Sequence, residues 1–375
     1  MSLGVIALIC SAALLGPALS LLARGAVPAV VGQLLAGVII GRTGLRIVNP
    51  ADGNLALLQA LGFVMLMFTV GMHVPLHDAR LRGALRSGLV ATAAAVPLAL
   101  AAGIACNAAG GGPTLVYAVV IVSSSAAVSL PIIAETGGGA SMLPAMAWIT
   151  IADILATMAI PLALTPSRAD HAALGALIVS ALVAVLFVAV ERLRHLPLVH
   201  MARREGKRRG WAIDLRLAVI ALVTLGFVAQ KVGASLLVAG FGTGLVVGAI
   251  GGPKRLSTEV LGLGQGFFIP VFFVLLGATL DLRALAHSSS AVVLAVLLAT
   301  LTIVVHVLAA KAIRARSAVG LLASAQMGVP AAVIALGLPA HAINQGQAAA
   351  IFCAALVSIA AAAVGNAALR RAPTG

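Results

Sequence analysis

The chain has 375 residues, of which 62% are apolar and only 9% charged, with a mean hydropathy of +1.15. A soluble domain carries roughly 25% charged residues, and this chain has too few polar side chains to cover a water-facing surface, so a soluble globular protein is excluded. Its net charge of +14 then has to follow from a membrane arrangement rather than from an acidic partner.

In lipid the backbone must satisfy its own hydrogen bonds, which leaves helices or a closed barrel. The apolar runs are long and lack the period-2 alternation of barrel strands, so the expected fold is all-α and polytopic. About thirteen transmembrane helices are predicted, near 3–22, 26–41, 54–73, 84–106, 113–134, 143–164, 172–191, 212–230, 234–250, 260–279, 288–311, 317–338 and 346–368. The first lacks a basic n-region and is long enough to span, so it reads as a helix rather than a signal peptide. No water-soluble domain fits in the remainder. The longest loop, 192–211, holds seven arginines and lysines and reads as a cytoplasmic linker; nucleic-acid binding is not expected, because no fold presents the charge. Cys10, Cys106 and Cys353 lie far apart in apolar runs, as buried small hydrophobes rather than a disulfide framework.

Charge gives the orientation. Assigning loops alternately to two sides leaves only Arg42, Arg46, Arg168, Lys231 and Arg283 on one side and the other 19 of the 24 lysines and arginines on the opposite side. The excess marks the cytoplasm. The N-terminus is therefore expected outside and the C-terminus inside, in a bacterial inner membrane.

A repeat runs through the chain. Gly37-Val38-Ile39-Ile40-Gly41 closes the second span and Gly244-Leu245-Val246-Val247-Gly248 the ninth. Gly71-Met72-His73-Val74-Pro75-Leu76 ends the third, and Gly277-Ala278-Thr279-Leu280-Asp281-Leu282 the tenth. The spans that carry the matching motifs cross in opposite directions under this topology. The pattern is an inverted repeat, about 26–164 against 212–368, with 172–191 as connector, the architecture of secondary transporters.

Nine of the ten acidic residues lie in loops or at helix ends; Asp153 alone sits at mid-span, within Trp148–Leu155. At that depth an ionisable group faces a water-filled path or a partner, or is held as a neutral acid bonded to a neighbouring helix. The first reading is preferred, because no basic residue is placed for a purely structural pair. Two other spans carry polar and helix-breaking residues in corresponding places, Ser123-Ser124-Ser125-Ala126-Ala127-Val128-Ser129-Leu130-Pro131 and Ala323-Ser324-Ala325-Gln326-Met327-Gly328-Val329-Pro330. Paired interrupted helices point to a transport site, and their freed carbonyls and hydroxyls suit a small cation. His306 is the one histidine well inside a span, near the depth of Asp153; it reads either as a proton-relay or pore-lining residue, or as a histidine bonded to a backbone carbonyl. No nucleophile–base pair or metal-ligand cluster is visible in the spans, so an enzyme is not expected. No cofactor is expected either, nor any metal beyond a transported cation.

With these residues in view, the chain resembles the monovalent cation:proton antiporter superfamily, the bacterial Na+/H+ and K+/H+ exchangers. The resemblance is carried in order by Pro28–Gly37, Leu66–Leu76, the serine-rich broken helix, Ala152-Asp153, Phe272–Gly277 and Gln326-Met327-Gly328. It implies two crossed broken helices, a homodimer, Na+ or K+ and H+ as the transported ions within membrane lipid, and Asp153 as the carboxylate that binds them. Ser124, Ser125, Ser129, Gln326, Thr300, Thr302 and His306 are the supporting candidates. Three departures stand out. Ala152 replaces the polar residue the family usually has before its Asp. The position of the lysine found in electrogenic members falls near Thr300–Thr302. Met327-Gly328-Val329 stands where Gly-Glu-Phe is usual. No soluble regulatory domain is expected after the last span. With Asp153 as the single titrating group, exchange is expected to be electroneutral, one cation for one proton. Transport of another solute, or a non-transporting scaffold or sensor derived from this fold, is the alternative.

Overall fold

The computed structural model describes residues 2–22, 27–50, 52–72, 79–126, 128–129, 133, 142–164, 169–232, 234–250 and 254–370. Those residues form helices and no strand. Among the described residues, ten helices are long and apolar enough to cross a membrane, and Ala29–Ile40 and Leu236–Ile250 are shorter apolar helices.

In chain order the helices are α1 (Leu3–Ala13), α2 (Leu15–Leu22), α3 (Ala29–Ile40), α4 (Gly53–Met72), α5 (Ala79–Gly110), α6 (Thr114–Val122), α7 (Leu143–Leu164), α8 (Ala169–Leu193), α9 (Pro197–Arg209), α10 (Ile213–Lys231), α11 (Leu236–Ile250) and α12 (Lys254–Leu263). A π-helical turn, Gly264–Phe268, joins α12 to α13 (Ile269–Thr279). Then come α14 (Leu282–Ala286), α15 (Ser289–Ala312), α16 (Ser317–Ala323), α17 (Gly328–Gly337) and α18 (Gln345–Arg370).

The chain divides into two compact units, neither of which follows the expected halves 26–164 and 212–368. The first holds Met1–Pro50, Asp78–Pro166 and Phe273–Gly375; the second holds Ala51–His77 and Ser167–Phe272. Within the first unit α3 packs backbone to backbone on α13. A Cβ on Gly37 would collide with the Val274 carbonyl and lie 2.9 Å from Ala278 N; one on Gly277 would lie 3.0 Å from the Leu34 carbonyl carbon. The contact continues past the helix ends, where Arg42 N donates to Ala278 O (3.1 Å) and Thr43 Oγ1 to Leu280 O (2.8 Å). Within the second unit α11 packs on α4 in the same way. A Cβ on Gly244 would collide with the Phe68 carbonyl and lie 2.9 Å from Met72 N; one on Gly71 would lie 3.0 Å from the Phe241 carbonyl carbon. Small residues permit such close approach where lipid offers no hydrophobic drive to helix association.

The basic segment after α8 is itself helical. Pro197 starts α9, where its missing donor costs nothing, and Gly210, left-handed at φ 69°, ends it. Glu191 pairs with Arg194 and Glu205 with Arg209, each at 2.5 Å, and the Arg209 guanidinium lies 5.2 Å from the ring centre of the exposed Trp211.

Candidate functional site

The site lies in the first unit, where two helices stop inside the apolar layer. α6 ends at Val122, and Ser123 turns extended (φ −69°, ψ 149°). α16 ends at Ala323, and the chain runs unwound through Ser324–Met327 before α17 starts at Gly328. Pro330 falls in the first turn of α17, where a backbone N–H has no helical acceptor, so the proline starts this helix without removing a bond. Leu130 and Pro131 lie outside the described residues.

At each break the serine that ends the helix bonds a carbonyl one turn back through its hydroxyl as well as its backbone N–H. Ser123 Oγ donates to Val120 O at 2.8 Å and Ser324 Oγ to Leu321 O at 2.7 Å. The two breaks are also tied to each other. Ser124 Oγ donates to Ala323 O (2.5 Å), Ser129 Oγ to Leu322 O (3.0 Å) and Ser125 N to Ala325 O (2.8 Å). Ser124 and Ser129 therefore brace one broken helix against the other with their hydroxyl protons, and Ser125 does so with its backbone.

Gln326 is the strongest tie. Only 1% exposed, it places Nε2 2.6 Å from Val120 O, 3.4 Å from Ile121 O, 3.4 Å from Ser123 O and 3.4 Å from Thr302 Oγ1. Carbonyls only accept, so the amide must turn its nitrogen toward them, and among the described residues its buried Oε1 has no hydrogen-bond partner. Its own backbone N–H donates to Ser358 Oγ at 3.1 Å.

Asp153 comes from the middle of α7 and is 8% exposed. Its Oδ2 accepts the backbone N–H of Ala126 at 3.1 Å, just past the first break. Ala152 beside it is buried. α15 supplies Thr302 and His306, one turn apart on a buried face. His306 Nδ1 lies 2.8 Å from Thr302 O and, facing a carbonyl, carries the proton. Nε2 is buried with no hydrogen-bond partner among the described residues. The imidazole stacks on Trp148 of α7, centroids 5.6 Å apart. The bond to a backbone carbonyl anticipated above for His306 is present.

Of the sequence candidates, Asp153, Ser124, Ser125, Ser129, Gln326, Thr302 and His306 belong to this buried neighbourhood. Thr300 does not. It is exposed, because two residues along a helix turn the side chain by roughly 200°, away from the face that buries Thr302 and His306. Two participants escaped the sequence reading, Trp148 and Ser358. For Trp148 a signal existed, since it is one of two tryptophans and lies little more than one turn from Asp153 on the same span. Among the described residues, no group of His, Cys, Asp and Glu could hold a metal ion.

The model of the family described as sodium/hydrogen exchanger, transmembrane, matches residues 9–367. The chain belongs to that family. It is a multi-pass membrane protein of the monovalent cation:proton antiporter superfamily. Similar proteins include an Na+/H+ antiporter of Enterococcus hirae, 25% identical over 80% of this chain and 79% of that one. The Na+/H+ antiporter NhaS5 of Synechocystis is 26% identical over 68% of this chain and 37% of its own length. The glutathione-regulated potassium-efflux protein KefC of Shigella flexneri is 26% identical over 76% of this chain and 46% of its own. The chain thus spans less than half of these last two relatives. Among solved structures, the sodium proton antiporter MjNhaP1 of Methanocaldococcus jannaschii superposes with a TM-score of 0.62 over 96% of this chain and 95% of that one, at 16% identity, which establishes a shared fold.

Proposed function

We propose that this protein exchanges a monovalent cation, Na+ or K+, for protons across the bacterial inner membrane, one for one, with the N-terminus outside and the C-terminus in the cytoplasm. The observation that carries the reading is the Asp153 carboxylate, buried at mid-helix and fixed by one backbone N–H beside a broken helix. The names of the relatives, Na+/H+ antiporters and a potassium-efflux protein, support it.

A buried carboxylate is costly to keep charged and alone. It crosses the membrane either neutralised by a proton or paired with a cation, so the two ions compete for one group. The Ala126 N–H holds one carboxylate oxygen and leaves the other for the competing ions. The braced breaks set the broken-helix backbone around it, and a homodimer is the assembly the superfamily implies.

With one titrating group per cycle no net charge moves, so the membrane voltage does no work on exchange. The test is the purified protein in proteoliposomes, with proton flux driven by Na+, K+ or Li+ and a K+/valinomycin potential clamped at several values. Asp153→Asn, which keeps the shape and removes the exchangeable proton, is expected to abolish cation-driven flux; flux near the parental rate would overturn the assignment. Rates that follow voltage at fixed ion gradients would reject the one-for-one stoichiometry, and loss of that dependence in His306→Ala would make His306 the second titrating group.

A further inference from the structure

The exchange reading leaves open what selects the cation, and the amide of Gln326 bears on that choice. Its nitrogen stands among four oxygens: the Val120, Ile121 and Ser123 carbonyls at 2.6, 3.4 and 3.4 Å, and Thr302 Oγ1 at 3.4 Å. Three of the four are carbonyls at the end of α6, the broken-helix backbone that could replace the hydration shell of a monovalent cation. Carbonyl oxygens arranged around one point do so in K+-selective filters. Here the point is occupied by an uncharged N–H donor of the protein.

We propose that Gln326 is a specificity-determining residue whose amide nitrogen fills a four-oxygen cradle and bars a dehydrated monovalent cation from it. The proposal rests on the exchange reading for its physiological meaning, but the cradle itself is defined by geometry alone. Three observations make it a built site. Gln326 is 1% exposed and Thr302 1% exposed, so the cradle is closed to bulk solvent. The main chain of Gln326 is held from the far side by Ser358, so the side chain is aimed rather than draped. Its Oε1 is left buried without a partner among the described residues, an arrangement that turns the donor end of the amide into the oxygens at the expense of the acceptor end. In the parent protein the cation therefore meets Asp153 without these carbonyls. It keeps more of its water, which suits a small, strongly hydrated ion over a larger one that depends on a carbonyl cage.

The experiment uses the full chain, purified and reconstituted, with 86Rb+ and 22Na+ as probes. Binding is measured for Asp153→Asn and for Asp153→Asn combined with Gln326→Ala. The expected result is no 86Rb+ bound by the single variant and about one ion per protomer bound by the double variant. The flux assay should show in parallel that Gln326→Ala alone raises the preference for Rb+ over Na+ by at least tenfold. Gln326→Leu, which fills the space without a donor, should show neither effect. A folded double variant, eluting as the parent does in gel filtration, that binds no 86Rb+ overturns the proposal. So does 86Rb+ binding that Gln326→Leu reproduces in the Asp153→Asn background. Should Gln326→Ala not fold, Gln326→Ser, which retracts the amide and keeps a short polar group, is measured in its place by the same criteria. If the parent protein exchanges no cation at all, the exchange reading fails, while the binding comparison still decides whether the cradle exists.

Discussion

The α3–α13 pair and the α4–α11 pair are the same contact built twice, each joining a helix from the first half of the chain to one from the second. Gly37 meets Val274 and Ala278; its counterpart Gly244 meets Phe68 and Met72. Gly277 meets Leu34 where Gly71 meets Phe241. Side-chain identity changes at nearly every matched position, but the glycines do not, because the contact is made by backbone and any Cβ would enter it. What differs is the surroundings. Leu34 of the first pair lines an apolar pocket with Leu276, Gln326 and Met327, so that this pair abuts the second helix break. The second pair carries instead the aromatic contact of Phe63 with Phe272, 5.6 Å between centroids. One packing device thus serves two settings, one beside the second helix break and one within the second unit.

The comparison can be broken at its tightest points first. Gly37→Val and Gly244→Val should each destabilise the protein by a similar amount, about 3 kcal/mol, as overpacking against backbone does, read from thermal unfolding in detergent. A large loss for one and none for the other would end the equivalence. The next step separates the pairs. A Cβ on Gly41 would lie 2.5 Å from Ala278 O and closer still to its Cα, whereas one on Gly248 would lie 2.9 Å from Met72 O with no nearer atom. Gly41→Ala is therefore expected to cost about 2 kcal/mol and Gly248→Ala less than about 1 kcal/mol in the same measurement, and equal costs would contradict the difference in approach. The smallest effect asks the same question of the two breaks. Ser324→Ala should cost about 1 kcal/mol, the net worth of one hydrogen bond. Ser123→Ala should cost less, because Val120 O keeps the Gln326 amide as a donor; a larger loss at Ser123 would place the weight of that carbonyl on the serine.

Much of this was legible in the sequence. Long apolar runs gave the helices, and the recurrence of Gly37–Gly41 at Gly244–Gly248 marked two close helix contacts, because glycine at a fixed interval has few reasons to recur in lipid apart from close packing. Which helices those glycines join was not legible, since a motif marks a tight face without naming its partner. At the site, Asp153 stood out by depth alone. Depth could not separate Thr300 from Thr302, because it says nothing about which way a helix faces. Ser124 and Ser129, read as candidate ligands, spend their protons on carbonyls of the opposite break, a role that depends on two segments about 200 residues apart crossing side by side. Pro330 was read as a breaker that frees a carbonyl, and it stands as the first-turn residue of the helix that follows.

The stacking of Trp148 on His306 has a practical consequence. The chain has two tryptophans, and Trp211 sits exposed beside Arg209 at the far end of the basic helix. Replacing Trp211 with phenylalanine would leave a single indole, fully buried and in face contact with the imidazole on α15. The protein then carries its own optical probe. Emission from that one ring would register protonation or displacement of His306 in real time, without a label, while ions are added to either side of the membrane.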